Sequence, residues 1–407
     1  MSSDAPAALY SPFEPGFVEN PYPQFAALRE HDPVHETLLG FWGLFRYDDV
    51  FRFIRDPQLS VAAENAFETV LDRMQQQVRG AERRDEGSHA MLNVDPPDHT
   101  RLRRLVSKAF TPRRIEALRP RVQELVDDAL DKAAAAGSMD LIPELAFPLP
   151  FAVISEMLGV PDGVDANQLR EWSGLLVRTL EPPSDFSLFE KIAEANDAMR
   201  AVILDIIAWK RQHPADDLLT ALVQAEEQGD MLSDEELLDQ VMLIYIAGHE
   251  TTVNLIGNGT LALLRHPDQL ARLREDPSLI ANAVDELLRF DSPVQMTRRV
   301  TLTDVEVGGR TIPKGTFVIC ALASANRDEA QFGPDAGDLD VSRSDASHHL
   351  SFGGGAHYCL GAALARLEGA VAIGSLVERF PAIELAGEVV WNGRINLRGL
   401  DHLPLKL

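Results

Sequence analysis

Cys359 stands in the stretch FGGGAHYCLG, which runs from Phe352 to Gly361 and carries three consecutive glycines, Gly353, Gly354 and Gly355. Glycine takes positive φ at no steric cost and lets a backbone pass close beneath a bulky flat object. The run that follows, LGAALARLEGAVAIGSLVERF, has apolar residues at helical spacing, so the cysteine falls where a glycine loop meets a helix N-terminus. Orphan N–H groups and the positive end of the helix dipole favour a thiolate there, the form that ligates soft and borderline metals. The loop is no nucleotide cradle, because G-x-G-x-x-G requires glycine where Tyr358 stands and no Lys-Ser/Thr pair follows. A nucleophilic thiol is the rival chemistry. His357 is near in sequence, but nothing supplies an oxyanion site or an orienting third group.

A second cluster lies in VMLIYIAGHETTVNLIGNG, apolar until Gly248 and then presenting His249, Glu250, Thr251 and Thr252 together. Glycine and paired threonines weaken a helical ladder, so Ala247-Gly248 predicts a bend or local opening, with room for a flat ligand against the helix. The metalloprotease pattern H-E-x-x-H fails, since its second histidine would be Val253. A third cluster is DELLRFDSP, where Glu286 and Arg289 are three apart on one helix face and able to pair, partly buried. The bland reading of such a pair is a solvated ion pair.

The elements that must position these residues are mostly helices. Thr111-Pro112 and Asp276-Pro277 read as N-caps followed by proline, and Ser233 with Glu236 as a capping box. The helix opened by Ser233 extends to about Arg265, where His266-Pro267 stops it, roughly 48 Å at 1.5 Å per residue. Strand signals are short, at 34–36, 41–46, 299–301, 305–307, 316–319 and near the C-terminus. The chain is therefore mainly α with small sheets, the β-rich parts falling in 30–60, 297–320 and 380–407. No linker or repeat divides its 407 residues, which predicts a single domain over 1–407.

A formal net charge of -25 argues against nucleic-acid binding. Two cysteines make no disulfide framework, and Cys320, in the apolar run GTFVICALA, reads as a buried thiol in a reducing compartment. The N-terminus has no signal-peptide pattern, and no apolar run reaches the ~18 residues of a membrane span, so the expected location is the cytoplasm. One segment breaks the acidic trend: TRLRRLVSKAFTPRRIEALRPR holds eight Lys or Arg residues and one acid, Glu116. It is a candidate dock for an acidic partner, or simply a solvated face.

Taken together, these residues resemble the cytochrome P450 family in its soluble bacterial form, from about residue 20 to 407. The family pattern F-x-x-G-x-x-x-C-x-G matches as Phe352, Gly355, Cys359 and Gly361, the long-helix motif as Ala247, Gly248, His249, Glu250, Thr251 and Thr252, and E-x-x-R as Glu286 and Arg289. The resemblance implies the cytochrome P450 fold, a long central helix over a buried heme. It makes Cys359 the thiolate ligand of heme b iron, a ligand that favours O–O cleavage. Phe352, Gly353, Gly355, Gly361, Ala247 and Gly248 would border the heme. His99, Arg103, Arg299 and His357 would bind its propionates, since carboxylates in a poorly hydrated site need charge-assisted donors. Arg298 is the obvious misassignment for Arg299, and strand alternation should send the two to opposite faces. Arg327, in SANRDEAQF, is the implied third partner of Glu286 and Arg289.

The implied reaction is monooxygenation, one atom of O2 entering an organic substrate by hydroxylation or epoxidation. Thr251 would hydrogen-bond the dioxygen and Glu250 would relay protons; glutamate stands where many bacterial members carry aspartate. Thr251 alternatively bends the helix by bonding the Ala247 carbonyl. Electrons would come from an acidic ferredoxin and its reductase, docking near Arg101, Arg104, Lys108, Arg113 and Arg114. By family position the pocket draws on 61–92, including Met91 and Leu92, on 175–180, and on Leu243, Ile244, Val294, Gln295, Met296, Ile395 and Asn396. These are mostly apolar, with Gln295 and Asn396 as orienting groups, which implies a medium-to-large hydrophobic substrate. The long polar part of 61–92 reads as a mobile lid. A peroxide-driven enzyme or a non-catalytic heme sensor would have less need of Glu250 and Thr251.

Overall fold

The computed structural model describes residues 9–37, 40–67, 89–108, 110–161, 163–181, 188–227 and 230–407, so most of the expected lid lies outside the described residues. The signals at helix ends operate as read. Thr111 accepts the Arg114 N–H ahead of the helix Pro112–Ala117, and Asp276 accepts from Ser278 ahead of Ile280–Phe290. Ser233 and Glu236 exchange both bonds of the capping box, at 2.8 and 3.2 Å. The central helix then runs Asp234–Arg265. It is unbroken through 247–252, so the expected opening does not occur.

The chain gathers into two compact units whose segments alternate along the sequence. The first unit comprises Met1–Val70, Asn258–Cys359 and Val389–Asp401. It contains a five-stranded sheet in the order Val34–Glu36, Trp42–Leu44, Phe317–Cys320, Thr297–Thr301, Leu59–Ser60. Phe317–Cys320 runs parallel to Trp42–Leu44 and antiparallel to Thr297–Thr301, which sets Val318 opposite Arg299. Side chains alternate across a strand, so Arg299 is buried and its neighbour Arg298 is exposed. Leu44, Val50, Ile54, Val318 and Leu322 pack the core beneath the sheet.

The second unit comprises Leu71–Gly257, Leu360–Glu388 and His402–Leu407. Its helix Arg119–Ala136 buries Val122, Val126, Leu130 and Ala133, one stripe at helical spacing, and ends on Gly137 in the left-handed region at φ 71°. It lies against the helix Ala362–Arg379, where Gln123 donates to Ser375 Oγ at 3.1 Å and Arg379 pairs with Asp131. The strand Ser138–Asp140 joins Pro404–Lys406 and Glu384–Leu385 in a three-stranded sheet. That strand falls outside the expected β-rich segments, being too short to show alternation. Among the described residues no helix is long and apolar enough to cross a membrane.

Candidate active site

In the first unit the cysteine loop is built on glycine for two separate reasons. Gly353 and Gly355 have φ of 70° and 64°, where a side chain would strain the backbone. A Cβ on Gly355 would also come within 3.0 Å of Arg55 Cα, and one on Gly354 within 2.8 Å of the Arg55 guanidinium. Gly355 thus lets the loop close on the backbone at Ile54 and Arg55, and Gly354 on their side chains. The Cys359 N–H donates to Phe352 O at 2.9 Å, closing the loop at its other end. Gly361 is the N-cap of Ala362–Arg379, two residues beyond the cysteine.

The two sulfurs decide whether the loop suits a thiolate-held heme. Cys320 is sealed in the sheet, and burial pushes its thiol up to about 12, so it stays protonated. Cys359 is exposed, on a flat loop beside a helix start, and is the sulfur that can reach a metal. The donor set therefore fits. Arg299 is buried in the same unit, its guanidinium donating to Ile54 O at 2.8 Å and Arg298 O at 2.7 Å. His357, half-buried, belongs to this unit too.

Glu286 and Arg289 are both fully buried and bonded twice, Arg289 Nε to Glu286 Oε2 at 2.6 Å and Nη2 to Oε1 at 2.8 Å. Arg289 also donates to the carbonyls of Asn326, Ala336 and Asp338, which answers its remaining hydrogens. Arg327 does not join them. It donates to Phe290 O and lies flat over the rings of Tyr22 and Phe290, 3.5 and 3.9 Å from their centroids. The third partner is Arg343, whose Nε is 3.4 Å from Glu286 Oε1 and whose Nη2 bonds Asp335. Its signal in the sequence was isolation, as it is the single Lys or Arg between Arg327 and Arg366.

The second unit carries the central-helix cluster. The space a side chain on Gly248 would need is taken by Ile154, 3.1 Å from the ideal Cβ, so Gly248 serves the packing of the helix Pro148–Leu158 rather than a flat ligand. Ala247 is exposed. Thr251 donates to Ala247 O at 3.2 Å, and Glu250 is buried, with 8% of its surface exposed. His249 bonds Tyr245 O and Ser173 Oγ. Beneath the threonines, Glu368 of Ala362–Arg379 is fully buried, and burial pushes its carboxyl up to about 8. The Thr252 hydroxyl faces it and opposes that shift, yet neither carboxyl oxygen completes a well-formed hydrogen bond.

His99 and Arg103 share one face of the helix Asp98–Ser107, one turn apart. Burial, and then the Arg103 charge, holds His99 below the usual histidine range. Of the basic stretch, Arg101 is paired with Asp230 and Glu236, and Arg114 with Asp216. Arg104, Lys108, Arg113 and Arg114 are exposed. Met91 is buried and its N–H bonds Gln240, whose amide also donates to His89 O; Leu92 is exposed. Leu243 is half-buried and Ile244 buried.

In the first unit a bridge joins Val294 to Leu397, and Gln295 N and Met296 N bond Asn396 O and Asn396 Oδ1. Ile395 and Met296 pack in one apolar cluster. Gln295 is fully buried with Nε2 given to Ser292 O at 2.6 Å, and Asn396 spends its oxygen on the backbone. Both amides thus hold the loop through one polar atom each, while Gln295 Oε1 is buried without a hydrogen-bond partner.

A sequence model described as Cytochrome P450 matches residues 29–278 and 278–390. The chain is 45% identical over 403 residues to the vitamin D(3) 25-hydroxylase of Pseudonocardia autotrophica, covering 97% of this chain and 96% of that one. It is 41% identical over 399 residues to the 6-deoxyerythronolide B hydroxylase of Saccharopolyspora erythraea, covering 95% and 96%. Its fold matches the solved structure of the bacillaene polyketide synthase cytochrome P450 PksS of Bacillus subtilis with a TM-score of 0.88, at 38% identity, covering 98% of this chain and 100% of that one.

Proposed function

Since the chain belongs to the cytochrome P450 family of heme b monooxygenases, we propose that it oxidises a medium-to-large apolar molecule with electrons from a ferredoxin and its reductase. The observation that carries this is the pairing of an exposed Cys359 on a glycine loop with a Cys320 sealed as a neutral thiol. Cys359 would hold the heme iron, and His99, Arg103, Arg299 and His357 would answer its two carboxylates. When bound, that group activates O2 for insertion into a C–H bond or a double bond. The chain's own work is to position substrate and supply protons.

Glu250, buried beside Thr251 in sequence, would relay protons through its carboxyl group. Thr251 gives its own hydrogen to Ala247 O, which leaves the lone pairs of Oγ as hydrogen-bond acceptors, so Thr251 would position a donor by hydrogen bonding while the proton itself is supplied through Glu250. The residues that the family pattern assigns to substrate, Leu243 and Ile244 in one unit and Val294, Met296 and Ile395 in the other, are apolar, which favours a large hydrophobic ligand. Two relatives are named for vitamin D3 and a macrolide precursor, both of that kind. The test is a titration of the holoprotein with vitamin D3 and with 6-deoxyerythronolide B, followed by turnover. Binding should shift the heme spin state and turnover should give a product one oxygen heavier. Thr251→Ala should then lower product per NADPH about tenfold or more and release the balance as peroxide. Unchanged product yield in that variant would remove Thr251 from the proton path.

The ferredoxin reading is supported by Arg104, Lys108 and Arg113, three exposed basic residues within one basic stretch of an otherwise acidic chain. Reversing any one of them to glutamate is expected to weaken ferredoxin about 3- to 10-fold at low ionic strength, with the effect shrinking as salt rises. Reduction rates measured under carbon monoxide across a ferredoxin titration check this. Rates insensitive to all three reversals would place the dock elsewhere. Two free thiols support a reducing, cytoplasmic location.

A further inference from the structure

His249 is fully buried, and both of its ring nitrogens are engaged. Nδ1 lies 2.8 Å from Tyr245 O, and a carbonyl only accepts, so Nδ1 carries the hydrogen. In the neutral ring Nε2 is then the acceptor, and Ser173 Oγ, 3.1 Å away and itself fully buried, donates to it. Phe147, Phe151 and Tyr245 meet the imidazole edge-on, with ring centroids 5.6, 5.5 and 6.0 Å away. The ring has no room to turn without opening one of these contacts. A serine in a helix interior ordinarily returns its hydroxyl to a carbonyl of its own helix. Ser173, in Ala166–Leu176, spends it on the central helix instead.

The bond joins two places that matter. On one side, Ala166–Leu176 continues directly into the turn Val177–Leu180, part of the stretch expected to face substrate. On the other, His249 immediately precedes Glu250, and its Nε2 is 4.0 Å from Glu250 Oε1. We propose that Ser173 and His249 are a positioning pair, through which the seating of Ala166–Leu176 fixes the turn of the central helix that carries Glu250 and Thr251. The pair touches neither the cofactor nor the reacting atoms. Its consequence in turnover rests on the proton path proposed above, whereas the mechanical link does not.

The test is amide hydrogen exchange on the holoenzyme, read by mass spectrometry. Ser173→Ala removes the donor, and His249→Phe removes the acceptor while keeping a ring for Phe147, Phe151 and Tyr245 to pack on. Each is expected to speed exchange about 3- to 10-fold in 247–252 as well as in Ala166–Leu176, the range one lost hydrogen bond gives to local opening. Ala362–Arg379, the internal control, should keep its wild-type rates. The double variant should be no faster than either single, and Ser173→Thr should restore slow exchange in both segments. Wild-type rates in 247–252 in both single variants, or a double variant equal to the product of the singles, would overturn the link. Failure of the proton path alone would show differently, as unchanged product yield in Thr251→Ala with the exchange pattern intact.

Discussion

Glu286→Gln is expected to cost about 3–5 kcal/mol, the usual penalty for stranding one half of a buried ion pair. The reason is Arg289, whose guanidinium is fully buried and relies on Glu286 for its only anionic partner among the bonds described above. Carbonyl partners at Asn326, Ala336 and Asp338 orient that charge without neutralising it. Whole domains are stable by only about 5–15 kcal/mol, so the variant should lose most of its folded holoprotein at 37 °C or shift its urea midpoint sharply downward. Arg343→Lys offers a milder cut, since it keeps the charge near Glu286 and loses the bonds to Phe332 O and Asp335. Arg327→Lys should cost least of the three, because its contacts are one carbonyl and two ring faces. If Arg327→Lys proved as damaging as Glu286→Gln, the ion network would not be what secures this region.

Glu368→Gln is expected to stabilise the protein at alkaline pH and do little at acidic pH. Burial raises the folded-state pKa of Glu368 from 4.5 to about 8. The sign follows from linkage: below the unfolded pKa both states are protonated and the site costs nothing extra. As pH rises from 4.5 toward 8 the unfolded chain ionises while the folded one cannot, so stability falls across that window. One pKa unit is about 1.4 kcal/mol, which makes the full loss on the order of 5 kcal/mol above pH 8. Glutamine carries no charge in either state and removes the slope. Urea unfolding at pH 5 and pH 8 should therefore show the variant and wild type within about 1 kcal/mol at the lower pH, with the variant more stable by several kcal/mol at the higher one. Equal pH slopes in the two proteins would mean that the carboxyl is ionised or hydrated in the folded state.

Much of this was legible because local chemistry and long-range packing agree. The capping box at Ser233 and Glu236 marked the start of the central helix to within a residue, and His266-Pro267 marked its end. Alternation correctly separated Arg298 from Arg299. What sequence could not show is where a long side chain goes once several elements surround it. Arg327 and Arg343 both follow the E-x-x-R helix in an acidic stretch, and only the fold sends one onto aromatic rings and the other to Glu286. Gly248 looked like room for a ligand, whereas the occupant is Ile154 from a helix about ninety residues upstream, and no local signal marks that approach. Gln295 and Asn396 each commit one polar atom to the loop, Nε2 to Ser292 O and Oδ1 to the Met296 N–H, while Gln295 Oε1 is buried without a hydrogen-bond partner. Glu368 carries no local signal, because an acid in an Ala- and Leu-rich helix reads as its solvated face, and here that position is buried. Ser173 left no trace at all, since a serine that bonds a histidine on another helix obeys no spacing rule.

The most direct test is the absorbance spectrum of the dithionite-reduced holoprotein under carbon monoxide. A Soret band at about 450 nm is the expected result, the mark of a thiolate-ligated heme held by Cys359. A band near about 420 nm on fresh, intact protein, or no band at all, would contradict the assignment of Cys359 as the ligand and with it the monooxygenase chemistry built on that loop.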